Sequence, residues 1–151
     1  MCGASRAHNR ISGNLFIAFA NALRGGPCEV FRSDFKVRLQ LDRRELFYYP
    51  DVMVACGQVG IYEYYLTEPK LSVEVLSPST SKTDRREKAL HYRQIDSLET
   101  YVMVAQQRLE VTLQRRQDEW RAQVLSAADA LVEFDVADVS MPLNEIYAGA
   151  H

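Results

Sequence analysis

Three residues in this chain have side chains that their surroundings do not explain. Asp51 follows Pro50 at the point where an apolar run resumes, and Pro-Asp is also a common turn pair. Glu74 sits inside the apolar run Leu71-Ser72-Val73-Glu74-Val75-Leu76, where an unpaired carboxylate is costly to bury. Lys88 falls four residues before Tyr92, on the stripe of a helix expected to face the sheet; its alternative is a lysine whose stem packs while its ammonium reaches water. Each has an ordinary reading alone: a turn, a half-solvated sheet face, a snorkelling lysine. Together, two carboxylates and a lysine at a strand end can hold a hard cation such as Mg²⁺ through oxygen and orient a water beside the ammonium. Such an arrangement suits phosphodiester hydrolysis.

The elements that would position them can be read from periodicity. Between Arg6 and Leu23, Ile11, Leu15, Phe16, Phe19, Ala20 and Leu23 recur at helical spacing, and Arg24-Gly25-Gly26-Pro27 ends the helix. From Cys28 to Leu41 the pattern alternates, giving two short strands or one bent one, and residues 45–55 form a further strand interrupted by Pro50. Residues 57–69 read as a loop carrying Tyr62, Tyr64 and Tyr65. The strand 71–76 runs into Ser77-Pro78-Ser79-Thr80-Ser81, which turns the chain and caps a helix from about Thr83 to Ile95 whose inward stripe includes Lys88, Tyr92 and Ile95. Residues 100–105, 109–114 and 119–125 then form a meander, and Met141 to Tyr147 a short closing helix with proline at its start.

The chain has 151 residues, 47% of them apolar, with seven glycines and five prolines, so one folded domain over residues 1–151 is expected. No apolar run is long enough to span a membrane and no secretory signal is visible, which points to a cytoplasmic protein. Cys2, Cys28 and Cys56 show no metal-binding spacing, and in that compartment Cys28 and Cys56 are expected to be reduced, small apolar residues. The net charge of −2 excludes a uniformly basic nucleic-acid module. A local basic stretch remains at Lys82, Arg85, Arg86, Lys88 and Arg93, either a phosphate-attracting surface or a solvated helix face.

Pro50-Asp51-Val52-Met53-Val54, the string Leu71-Ser72-Val73-Glu74-Val75-Leu76-Ser77-Pro78-Ser79-Thr80, and Asp84, Lys88 and Tyr92 at four-residue steps together resemble the Uma-two family of the PD-(D/E)xK nuclease superfamily. The likeness runs from about Gly3 to Tyr147. It implies an α/β (α+β) fold, a restriction-endonuclease-like mixed β-sheet flanked by helices. It also implies Asp51 and Glu74 as metal ligands with the Val75 carbonyl as a third, Mg²⁺ or Mn²⁺ as cofactor, and DNA as substrate. The superfamily's lysine normally stands two residues after the glutamate, where this chain has Leu76, so the basic role passes to Lys88. The family's N-terminal strand and an acidic residue within that segment are expected to be missing ahead of His8, which would leave an open sheet edge and favour a homodimer. The expected function is metal-dependent DNA cleavage; the alternative is an inactive nuclease-fold module that binds a partner chain or nucleic acid.

Overall fold

The computed structural model describes residues 4–151. The first element, α1 (Arg6–Leu23), starts at Ser5, whose hydroxyl accepts the His8 amide at 3.0 Å, and it buries Ile11, Leu15 and Phe19. Each such fully buried side chain stabilises the docked helix by about 1.5–3 kcal/mol. The left-handed Gly25 lies just beyond the helix end.

Five strands follow: β1 (Cys28–Arg32), β2 (Lys36–Leu41), β3 (Arg44–Tyr48), β4 (Val52–Cys56) and the two-residue β5 (Tyr65–Leu66). The stretch from Cys28 to Leu41 is thus two strands, and Pro50 divides residues 45–55 between two sheets. The strand β3 belongs to a three-stranded sheet in the order β3-β2-β5, whereas β4 enters the main sheet. Proline has no amide to donate to a ladder, so the chain leaves one sheet and joins the other at Tyr49-Pro50-Asp51. Within the expected tyrosine loop, β5 pairs parallel with β2.

The main sheet is completed by β6 (Leu71–Leu76), β7 (Thr100–Ala105), β8 (Val111–Arg115) and β9 (Ala122–Leu125), in the order β1-β4-β6-β7-β8-β9. Within this sheet, among the described residues, β6 and β7 are the one parallel pair, joined by the crossover helix α2 (Lys82–Arg93), which Ser81 caps by accepting the Asp84 amide. The antiparallel ribbon β7-β8-β9 is the expected meander. Beyond it lies a hairpin of β10 (Leu131–Phe134) and β11 (Val139–Pro142), followed by the one-turn helix α3 (Leu143–Ile146). Met141 and Pro142 therefore end a strand, and the closing helix begins just after them.

Period two assigns the two faces of the main sheet. Val73 and Val75 of β6, with Val52, Val54, Val102 and Val104, face α1, α3 and the β10–β11 hairpin. Ser72 and Glu74 face the opposite way, toward α2 and the three-stranded sheet, where Met53, Tyr92, Tyr101 and Leu39 form a second core. The result is a mixed sheet covered by helices on both sides.

The cysteines differ from the sequence expectation. Cys28 and Cys56 stand directly opposite each other on β1 and β4 and are joined by a disulfide. Twenty-eight positions apart in sequence, they become neighbours only through strand pairing, which spacing alone does not reveal. Among the described residues, no helix is long and apolar enough to cross a membrane.

Candidate active site

The pairing of β4 with β6 sets the two carboxylates against each other. Val52 pairs with Val73, so one step further along the register Asp51 stands opposite Glu74. The Asp51 amide continues the ladder by donating to the Val73 carbonyl at 3.0 Å. In return the Val75 amide donates to Asp51 Oδ2 at 2.7 Å, which holds the carboxylate against β6. The other oxygen, Oδ1, lies 2.9 Å from His8 Nε2. That hydrogen bond is the main reason the His8 pKa lies above its ordinary value, since partial burial of the ring acts the other way.

Glu74 is 8% exposed and lies among aromatic rings. Its Oε1 accepts the Tyr92 hydroxyl at 3.3 Å and lies 3.4 Å from Lys88 Nζ. Burial pushes the Glu74 carboxyl up to about 7; the Lys88 charge opposes this, and the negative charge of Asp51 adds to it. The ammonium of Lys88 is partly open to solvent and lies 5.2 Å from the centre of the Tyr48 ring, on a face that attracts cations. Tyr48 is fixed in turn: its hydroxyl is 2.6 Å from His91 Nδ1, and its ring stacks on Tyr92, which stacks on Tyr101. Buried hydroxyls hold their protons more tightly, and both Tyr92 and Tyr101 are shifted well upward, chiefly by desolvation.

The structure thus gathers Asp51, Glu74, Val75 and Lys88 in one place. Lys88 reaches Glu74 from α2 although Leu76 occupies the position two residues after the glutamate. Sequence reasoning missed His8 as a partner of Asp51, yet a signal was present: His8 stands three residues before Ile11 and extends the stripe Ile11, Leu15, Phe19 by one turn. The Tyr48–His91 support had no local signal, because it joins β3 to α2 across the fold.

Among the described residues there is no cluster of three or more histidine, cysteine or acidic side chains arranged around a common point for a metal. Two opposed carboxylates, one with a proton affinity raised by burial and by its neighbour's charge, nevertheless fit a hard divalent ion that retains several waters. The donors are oxygens, and excess negative charge is what such an ion relieves.

The fold is shared with a crystal structure described as a putative nuclease belonging to DUF820 from Anabaena variabilis ATCC 29413, which superposes with a TM-score of 0.81. That match covers 99% of this chain and 85% of the other at 15% identity. The family model described as "Uma2: Putative restriction endonuclease" matches residues 1–144, and the chain belongs to this family. The chain is also similar to two proteins from Synechocystis sp. (strain ATCC 27184 / PCC 6803 / Kazusa), both described as uncharacterized. One, slr1290, is 35% identical over 99% of this chain and 78% of its own length. The other, sll1609, is 32% identical over 89% of this chain and 77% of its own length.

Proposed function

We propose that the chain is a divalent-cation-dependent endonuclease that hydrolyses DNA phosphodiester bonds, with Asp51, Glu74 and Lys88 as its working residues. The observation that carries this reading is the convergence of a paired carboxylate set and one ammonium where β4, β6 and α2 meet. Asp51 and Glu74 would hold Mg²⁺ or Mn²⁺, with the Val75 carbonyl as the third protein ligand. The bound ion would supply Lewis-acid stabilisation of the phosphate and a water of lowered pKa.

The chain's own groups have separable tasks. Val75 N–H and His8 orient the Asp51 carboxylate through its two oxygens. Tyr92 fixes Glu74 from below, while the Tyr48 ring keeps the Lys88 ammonium at the mouth of the site. From there Lys88 would steady the charge that develops on the phosphate oxygens or position the attacking water. His8 becomes a positioning residue, since its contact is with Asp51.

The test is cleavage of supercoiled plasmid with Mg²⁺ or Mn²⁺, with chelator as control, alongside calorimetry of cation binding to the parent, Asp51→Asn and Glu74→Gln. Weak cation binding that both substitutions abolish, together with cation-dependent nicking, is expected. Parent-like binding in both variants would remove Asp51 and Glu74 from the site.

A further inference from the structure

Helix α2 separates its charges. At about 100° per residue, Lys82, Arg85, Arg86 and Arg93 fall on one flank of the Lys88 direction, and Asp84 and Glu87 on the other. The acidic flank, with His91, lies toward Tyr48 and the three-stranded sheet. The basic flank faces a groove of about 530 Å³ between α2 and the main sheet, whose opposite wall includes Thr112 and Gln114 of β8 and, just before β8, Glu110, whose carboxylate is paired with Arg108 at 2.9 Å. Leu76 and Arg85 line this groove and also a smaller hollow beside it, which Gln106 and Arg108 border from the far side. The two hollows therefore meet at the end of β6, two residues past Glu74.

The cations of this flank are unspent. Among the described residues, none of Lys82, Arg85, Arg86 and Arg93 forms an ion pair within 4.0 Å. The Nε atoms of Arg85 and Arg93 are buried without a hydrogen-bond partner, as is Oε1 of Gln114 across the groove. A guanidinium presents five donors in a planar fork suited to phosphate oxygens. Four cations strung along a helix flank match a repeating anion better than a single one, since a polyanion meets them in succession and releases counterions at each contact.

From this the geometry points to the groove between α2 and β8 as the track for a nucleic-acid phosphodiester backbone, with the bound strand passing the end of β6 to reach Glu74 and Lys88. The inference rests on the nuclease reading for its direction toward the site, but binding can be measured without cleavage.

The experiment is fluorescence anisotropy of a labelled DNA duplex, titrated with protein in chelator over a range of salt concentrations. Lys82→Gln/Arg86→Gln changes two exposed residues and leaves the core untouched; Arg85→Gln/Arg93→Gln is the second pair, and Arg43→Gln/Arg44→Gln, in the β2–β3 turn and at the first position of β3, is the control. Each groove pair is expected to weaken binding about tenfold or more and to reduce the salt slope by about two, as for two lost phosphate contacts. The control should retain the parent's affinity and slope, and Asp51→Asn should still bind. If binding depends on the groove pairs while no preparation cleaves, the track stands and the nuclease reading falls. Parent-like affinity and slope in both groove pairs, or binding to anionic phospholipid vesicles without binding to DNA, would overturn the track even if the parent cleaves DNA.

Discussion

At pH 8 the Glu74 carboxylate is largely ionised in a nearly closed site, with Asp51 opposite and Lys88 and Tyr92 as its supports. Its folded pKa of about 7 lies above the ordinary 4.5, so folding favours the protonated form. The fold is helped below about pH 4.5, and that help is lost as the pH rises from there through about 7. Glu74→Gln keeps the shape and removes the charge. In chelator, its melting temperature is expected to exceed the parent's at pH 8 and to converge with it near pH 4.5; a constant gap would show that the carboxylate is not the cause. Lys88 calls for a different measurement. Lys88→Ala should preserve the fold and cation affinity while lowering cleavage about a hundredfold, the scale of lost charge stabilisation, with Arg43→Ala as the control. Circular dichroism and single-turnover cleavage separate the two effects.

The elements show what the sequence could express. The helix of α1, the strand of β6 and the β7-β8-β9 ribbon follow from apolar periods that one segment contains within itself. Asp51, Glu74 and Lys88 stood out because polar residues interrupt those periods or share their inward stripe. What stayed hidden depends on partners distant in sequence. The β10–β11 hairpin has weak alternation, with Leu131 left exposed, and the division of the first strands between two sheets is decided only when Tyr48 and Met53 meet α2 and its neighbours. Likewise His8 acquires its meaning once α1 docks and presents it to Asp51. The docking depends on the buried stripe, so Leu15→Ala should destabilise the protein by about 2–5 kcal/mol, readable as a lowered denaturant midpoint. An unchanged midpoint would mean that α1 is not anchored through Leu15.

At the level of the whole molecule the main sheet ends in two edges, β1 and β9. Glu29 and Arg32 place charges on β1, whereas β9 reads Ala122-Gln123-Val124-Leu125 without a charge, and Val124 is exposed. Charges discourage edge-to-edge pairing and their absence permits it. A two-fold dimer through β9 is therefore expected, and Val124→Lys should shift the sedimentation coefficient to that of a monomer. A parent that sediments as a monomer at all concentrations would refute it.

The bond between Cys28 and Cys56 has a further consequence for the chain as a connected object. It closes a covalent ring that contains Asp51 but excludes both His8 and Glu74. The β2–β3 turn, Asp42-Arg43, lies within that ring and is exposed. A tryptic cut after Arg43 would divide the site, leaving His8 on one peptide and Asp51, Glu74 and Lys88 on the other. Without reductant the two peptides should still migrate together in a denaturing gel, and with reductant they should part. Immediate separation would show that the ring is open, whereas co-migration means that a backbone break between the residues of the site need not let its halves drift away.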